Sequence, residues 1–298
     1  MNRLHANGIE LGYDCFGETH GNALLLISGL GTQRLRWTVP FCEALAARGY
    51  RVIRFDNRDA GASTHLRHAA APDLGTLAAM LASGQQPALP YTLRDMADDA
   101  IALLDALGIE RAHIVGRSMG GMIAQIAASE HRSRVRSLAS IMSSSGNPAL
   151  PPAAPDVMAM MMRPAPDPVA DEAAFIEHSL AFARRIAGRG FPFDAQQHRA
   201  LLREERRHPH DAGSFARQLA ALANAGDRRA RLATIAAPTL VIHGADDPLV
   251  PPACGEDTAT AIPGANFMLI DGMGHDLPTA LDDTIADAID RNARRAGG

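Results

Sequence analysis

Short apolar runs of strand length alternate with helical patterns over much of this chain of 298 residues. The clearest helical pattern, 92–107, gathers its apolar residues on one face and ends at Gly108. Asn7-Gly8, placed between two short runs, is a common signal for a tight hairpin at the start of the chain. The alternation predicts an α/β fold with a doubly wound, mostly parallel sheet of eight strands. Beyond the hairpin, the apolar runs lie at 23–27, 51–55, 112–115, 135–141, 239–242 and 267–270.

The alternation of strand and helix fails in one long central stretch. This stretch begins with a proline-rich segment, 147–155, and continues with helical patterns around 173–186 and 215–225. Helices inserted between two strands of a sheet are expected to lie outside it. We therefore expect a core domain, 1–143 and 232–298, and an inserted helical cap or lid, 144–231.

Composition excludes several classes of protein. All 29 basic residues are arginine, which excludes Schiff-base chemistry and a phosphate-loop lysine. A net charge of −4 gives no electrostatic reason to expect nucleic acid as a partner. Cys15, Cys42 and Cys254 are scattered like reduced thiols, and no stretch reaches the apolar length of a membrane span. The thiols and the lack of such a span predict a cytoplasmic protein. His208 and His210 have no evident third metal ligand, so we expect no metal, and the proposed chemistry predicts no cofactor.

A serine lies on a sharp turn between a strand and a helix. Gly116-Arg117-Ser118-Met119-Gly120 has the pattern G-x-S-x-G, with an apolar run before it and a helical pattern after it. Side chains at the two glycine positions would crowd such a turn. Ser118 is therefore the candidate nucleophile, and the backbone N–H of Met119 is a candidate oxyanion donor. A second donor is expected from Leu30, in the glycine-rich segment after the run 23–27.

A serine hydroxyl needs a base, and the base needs a carboxylate to orient it. His275 is the candidate base because it directly follows the last apolar run, where sheets of this kind place their chemistry. Asp246 and Asp247 both follow the run 239–242. Spacing alone does not choose between them, and Asp271 and Asp276 are weaker candidates.

Five motifs along the chain resemble the α/β-hydrolase superfamily, and within it the capped bacterial esterases that include aclacinomycin methylesterase. The resemblance places the catalytic acid at Asp247. The chain departs from the family pattern at Ser28, where the family has histidine, and at Asp59, where the family has glycine. The matching segments are 28–31, 56–63, 116–120, 244–251 and 274–275.

The motifs and the resemblance together predict a serine esterase. Ser118 would attack a carboxylic ester or lactone of a moderately hydrophobic small molecule, His275 would act as general base, and the N–H groups of Leu30 and Met119 would hold the oxyanion. Cofactor-free perhydrolysis, like that of haloperoxidases, and cleavage of a carbon–carbon bond or an amide would use the same triad. A non-catalytic binding protein of this fold is the alternative from a different class. The sequence does not choose between a monomer and a homo-oligomer.

Overall fold

The computed structural model describes residues 2–209 and 211–297, and an eight-stranded sheet runs through them. Its spatial order is β1-β2-β4-β3-β5-β6-β7-β8. β2 pairs antiparallel with β1 and β4, and all the other pairs are parallel, as the sequence predicts. The strands are β1 (Asn2–Ala6), β2 (Ile9–Phe16), β3 (Asn22–Ile27), β4 (Tyr50–Phe55), β5 (Ala112–Arg117), β6 (Val135–Ile141), β7 (Thr239–Gly244) and β8 (Asn266–Ile270).

Helices cover both faces of the sheet. One apolar layer joins the sheet to α3 and α4, and a second joins its other face to α1 and α11. Successive residues of β3 alternate between the layers, as a pleated strand requires, with Leu25 in the first and Leu24 in the second. The helices are α1 (Val39–Ala46), α2 (Leu74–Ala82), α3 (Leu93–Ala106), α4 (Met119–Glu130), α5 (Pro155–Met162), α6 (Glu172–Ile186), α7 (Ala195–Glu205), α8 (Ser214–Asn224), α9 (Arg229–Leu232), α10 (Pro252–Ala261) and α11 (Asp282–Arg294).

Most element boundaries lie within one or two residues of the predicted ones. The hairpin turns at Asn7 and Gly8, which both have positive φ, as a tight two-residue turn requires. Thr92 caps α3 through a reciprocal pair of hydrogen bonds with Asp95, and Gly108 follows the helix in the left-handed conformation. The sequence patterns predict no helix at α1, α2 or α5.

The long connection between β6 and β7 is helical. It carries α5, α6, α7, α8 and α9, and none of its described residues, which exclude His210, lies in a strand. α9 packs against α4 and α10, next to the sheet. The division into a core domain and a cap stays a prediction. No helix within 2–209 or 211–297 is long and apolar enough to cross a lipid bilayer.

A buried histidine lies near the start of β5, a central strand of the sheet. His113 is 4% exposed, and its Nδ1 lies 2.9 Å from the hydroxyl of Ser137 on β6. Burial, and then the positive charges of Arg136 and Arg111, lower its pKa from the ordinary 6.5 to about 4, although the carboxylate of Asp290 opposes the shift. The folded protein therefore keeps His113 neutral in mildly acidic solution.

This burial predicts that the free energy of unfolding falls as the pH drops from about 6.5 to about 4. Over that range His113 is protonated in the unfolded chain but stays neutral in the folded chain. This difference lowers the free energy of unfolding by up to about 3 kcal/mol. His113→Asn should make the decline shallower, while exposed His68→Asn should leave it unchanged because His68 faces solvent in both states. Urea unfolding at several pH values measures the slopes, and parallel slopes for all three proteins would contradict the prediction.

Candidate active site

Ser118 lies on the sharp turn between β5 and α4. Its backbone has φ 53° and ψ −125°, a conformation that is strained for a residue with a side chain. A Cβ atom built at Gly116 would lie 2.0 Å from the carbonyl oxygen of Gly120, and one built at Gly120 would lie 2.2 Å from that of Ile27. Both positions therefore require glycine, as the sequence predicts. The Ser118 N–H donates to the carbonyl of Ile141 at 2.9 Å, which ties the strained turn to β6.

The structure brings His275 to this serine. Its Nε2 lies 3.0 Å from Ser118 Oγ, and its buried ring comes from the loop that follows β8. The His275 N–H donates to the carbonyl of Ile186 at 2.8 Å, at the end of α6. In the same loop, the carbonyl of Gly272 accepts a hydrogen bond from the N–H of Gly190 at 2.9 Å. The helical segment between β6 and β7 thus fixes the backbone that carries the imidazole.

Asp247, and not Asp246, meets the other nitrogen of the imidazole. Asp247 Oδ2 lies 2.7 Å from His275 Nδ1. Its Oδ1 accepts from the N–H groups of Leu249 and Val250 at 2.9 and 2.8 Å. Asp246 is exposed, and from the described residues it accepts a single long hydrogen bond of 3.3 Å, from the N–H of Arg189.

The surroundings of Asp247 keep it ionised. Burial by itself would raise its pKa, but His275, the side chain of His243 and the N–H of Val250 outweigh burial and hold the pKa well below its usual range. A buried carboxylate that stays negative near neutral pH can orient an imidazole and stabilise its protonated form. The order Ser118, Asp247, His275 along the chain is the order of the α/β-hydrolase triad.

The two candidate oxyanion donors, Leu30 and Met119, lie in segments next to Ser118 in the structure or in the chain. Residues 28–33, called here the oxyanion loop, approach the nucleophile at Gly29, where an added Cβ atom would lie only 3.2 Å from Ser118 Cβ. Among the hydrogen bonds of residues 2–209 and 211–297, none uses the N–H of Leu30. Met119 is the first residue of α4, and the N–H at that position has no acceptor within its helix. This arrangement can activate a hydroxyl and receive an oxyanion.

The two departures from the family pattern are both buried. Ser28 donates through its hydroxyl to the carbonyl of Gln33 at 3.3 Å, and its own carbonyl accepts from the Asn57 amide at 2.9 Å. Asp59 has φ 64° and stands where the family has glycine, the residue that adopts this conformation most easily. Aspartate tolerates positive φ better than most other residues.

The carboxylate of Asp59 is the centre of a polar cluster that the sequence analysis missed. Arg217 of α8 donates to both carboxylate oxygens at 2.8 Å. The carboxylate also accepts hydrogen bonds from the Tyr91 hydroxyl and the Leu66 N–H. Burial would raise the pKa of Asp59, but these donors, with Arg217 foremost, hold it below the usual range. The pairing joins positions 158 residues apart, and local sequence carries no signal for it.

The same cluster offers a possible cation site, but an arginine occupies it. Asp59, His65 and Asp211 place one ligand atom each within 4.8 Å of one another. The guanidinium of Arg217 already donates to both carboxylates, and His65 is engaged with the Ser214 hydroxyl at 3.1 Å. The positive charge that these residues need is therefore supplied by the chain itself. His210, considered above as a ligand, lies outside the described residues.

The glycine requirement of the nucleophile turn predicts a large loss of stability for Gly116→Ala. The added methyl group meets a carbonyl oxygen that cannot move without breaking the turn, so the free energy of unfolding should fall by at least about 2 kcal/mol. Urea unfolding measures the loss.

Gly75→Ala in α2 is the matched control for this substitution. A Cβ atom there makes only an ordinary contact, 3.5 Å from Asp73 Oδ1, so stability should hold or rise by up to about 1 kcal/mol. Equal stability changes in the two variants would show that steric crowding is not the reason for glycine at position 116.

Comparisons with known proteins agree with this fold. Two relatives, rhodomycin D methylesterase DauP of Streptomyces sp. strain C5 and DnrP of Streptomyces peucetius, are each 30% identical over 97% of this chain and 96% of the relative. An enol-lactonase structure from Burkholderia xenovorans LB400 is 25% identical with a TM-score of 0.68 and covers 99% of both chains. A meta-cleavage product hydrolase from Pseudomonas fluorescens IP01, at 22% identity and TM-score 0.74 over 99% of this chain and 98% of that one, shares the fold. Residues 22–278 match the model of the alpha/beta hydrolase fold, and the chain belongs to this family.

Proposed function

We propose that this carboxylic ester hydrolase works through an acyl-enzyme on Ser118, with His275 as general base and Asp247 as the carboxylate that orients it. The observation that carries the proposal is the chain of two hydrogen bonds, 2.7 Å from Asp247 to His275 and 3.0 Å from His275 to Ser118 Oγ. Both distances are within the range for proton transfer between positioned groups. With Asp247 accepting from Nδ1–H, Nε2 is left to accept the serine proton.

The first half of the proposed reaction forms the acyl-enzyme. His275 Nε2 takes the Ser118 proton while Oγ attacks the ester carbonyl carbon, and the carbonyl oxygen becomes an oxyanion. The N–H groups of Leu30 and Met119 donate to that oxyanion. The tetrahedral intermediate then collapses, and His275 passes its proton to the departing alcohol.

The second half releases the acid. Water enters the place of the alcohol, loses a proton to His275 Nε2 and attacks the acyl carbon. The same two N–H groups hold the second oxyanion, and Ser118 Oγ leaves with the proton from His275. The proposed cycle needs no metal or cofactor, because the imidazole carries every proton.

The surroundings of the oxyanion loop support a moderately hydrophobic small-molecule ester or lactone as substrate. Phe215 of α8 packs against the loop, where a Cβ atom built at Gly31 would lie 3.1 Å from its ring, and the side chain is 37% exposed. An exposed aromatic ring beside the site offers apolar contact to a bound substrate. By their names, the relatives include methylesterases and an enol-lactonase. We also propose that residues 144–231 act as the cap that selects this substrate.

Covalent labelling combined with ester hydrolysis tests the proposed function. A fluorophosphonate should add to Ser118 of the wild type with loss of fluoride, and peptide mass spectrometry should locate the adduct. Ser118→Ala should not be labelled. On p-nitrophenyl esters of increasing acyl length, Ser118→Ala and His275→Ala should lose at least about a thousandfold in kcat.

Each outcome of this experiment is decisive. If the wild-type protein is labelled at Ser118 but cleaves no ester, the proposed substrate class is wrong. If it is not labelled and cleaves no ester, a binding protein of this fold is favoured. Activity retained by Ser118→Ala would overturn the proposed nucleophile.

The paired aspartates allow a sharper test of the orienting carboxylate. Asp247→Asn should lower kcat by about a thousandfold or more, because an amide can present an N–H to Nδ1 and favour the wrong tautomer of His275. Asp246→Asn is the matched control, and it should stay within about threefold of the wild type because Asp246 is exposed and, from the described residues, accepts a single hydrogen bond, from the Arg189 N–H. The reverse order of the two kcat values would assign the role to Asp246.

A further inference from the structure

A fully buried glutamine of α8 holds the oxyanion loop. Gln218 Oε1 accepts a hydrogen bond of 2.8 Å from the N–H of Gly31, and its Nε2 donates to the carbonyl of Arg58 at 2.8 Å. Gln218 is 187 positions from Gly31 along the chain, so the contact is purely tertiary. Both polar ends of the side chain are used, and the amide therefore has one defined orientation.

The bond to Gly31 constrains the oxyanion donor next to it. The Gly31 N–H belongs to the peptide group that directly follows Leu30, so fixing this group limits rotation about the Leu30 backbone. Gly31 has φ 64°, and the N–H of Thr32 returns to the carbonyl of Gly29 at 3.4 Å, which closes a tight turn around Leu30. The direction of the Leu30 N–H is thereby coupled to the position of Gln218.

The helix that carries Gln218 is itself anchored beside the loop. The preceding residue, Arg217, is 2% exposed and forms the buried ion pair with Asp59. Gln218 bonds to the carbonyl of Arg58, the neighbour of Asp59. Arg217 and Gln218, two consecutive residues of α8, thus bind the turn that contains Arg58 and Asp59. Gln218 also reaches the oxyanion loop. Ser28, where the family has histidine, gives the loop only a long hydrogen bond of 3.3 Å from its side chain.

We propose that Gln218 is a positioning residue for the oxyanion hole, and that the inserted helical segment contributes to the hydrolysis rate through it. The proposal rests on the proposed function, because it takes Leu30 as an oxyanion donor. A loosened Leu30 N–H would stabilise the tetrahedral intermediate poorly but would leave substrate binding nearly intact. Such a defect changes kcat and leaves KM nearly constant.

The experiment compares Gln218→Leu with the wild type on p-nitrophenyl butyrate and with diethyl p-nitrophenyl phosphate. We expect kcat to fall between about tenfold and a hundredfold, less than the loss of a whole oxyanion donor, with KM within about threefold. The rate of phosphorylation of Ser118 should fall in parallel, since the phosphoryl oxygen takes the place of the oxyanion. Gln218→Glu loses the donor to the Arg58 carbonyl but keeps an oxygen that can face the Gly31 N–H, so it should retain more of both rates than Gln218→Leu.

Gln125→Leu is the matched control for the loss of a buried glutamine. Gln125 is also fully buried, donates to the Ser140 hydroxyl at 3.1 Å and accepts from Arg228, away from the oxyanion loop. Its kcat should stay within about threefold of the wild type even if its Tm falls as much as that of Gln218→Leu. Gln218→Met, a more flexible replacement, takes the place of the leucine variant if that variant does not fold.

Three outcomes would overturn the inference. If Gln218→Leu folds and keeps the wild-type kcat and phosphorylation rate, Gln218 does not position the Leu30 N–H, while the proposed function stands. An equal loss of kcat in Gln125→Leu would assign the effect to general destabilisation. Absence of any phosphate adduct on Ser118 in the wild type would overturn the proposed function, and this inference with it.

Discussion

The strained backbone at Ser118 is the constraint on which the site depends. A positive φ at a serine costs on the order of 1–3 kcal/mol, and it persists only where the surroundings leave no alternative. Here β5 continues directly into the turn, and the Ser118 N–H is bound to β6. Gly116 and Gly120 are required because backbone atoms occupy the space of their side chains. The sheet therefore stabilises a turn that presents a hydroxyl and starts a helix at the same point.

Two buried carboxylates, Asp247 and Asp59, stay ionised because of their partners. Burial would neutralise them if they were alone, but each has donors that outweigh desolvation. For Asp247 these donors are two histidines and the N–H groups of Leu249 and Val250, so the compensation serves the proposed chemistry. For Asp59 the main donor is Arg217, and the compensation attaches α8 to the core. Two buried carboxylates thus do different work because their partners differ.

The helical segment between β6 and β7 contacts both halves of the site. The end of α6 binds the backbone of His275, and α8 reaches the oxyanion loop through Gln218. The proposed base and one proposed oxyanion donor are therefore held partly by residues far away in sequence. Each contact is a hydrogen bond donated by a backbone N–H, and its defined direction restricts orientation more strongly than apolar packing does. This segment supports the geometry of the site as well as lying beside it.

Much of the fold followed from the sequence because it depends on local periodicity. Runs of apolar residues predicted the strands within one or two residues, and the glycine spacing predicted the nucleophile turn. Spacing left Asp246 and Asp247 open, since both lie in one turn and only backbone direction decides which carboxylate meets His275. The pairs Asp59 with Arg217 and Gly31 with Gln218 left no local signal. The sequence by itself determined the strands, the turn and the residue types of the site, whereas tertiary structure decided which distant side chains hold them, because those contacts exist only once the inserted helices pack against the sheet.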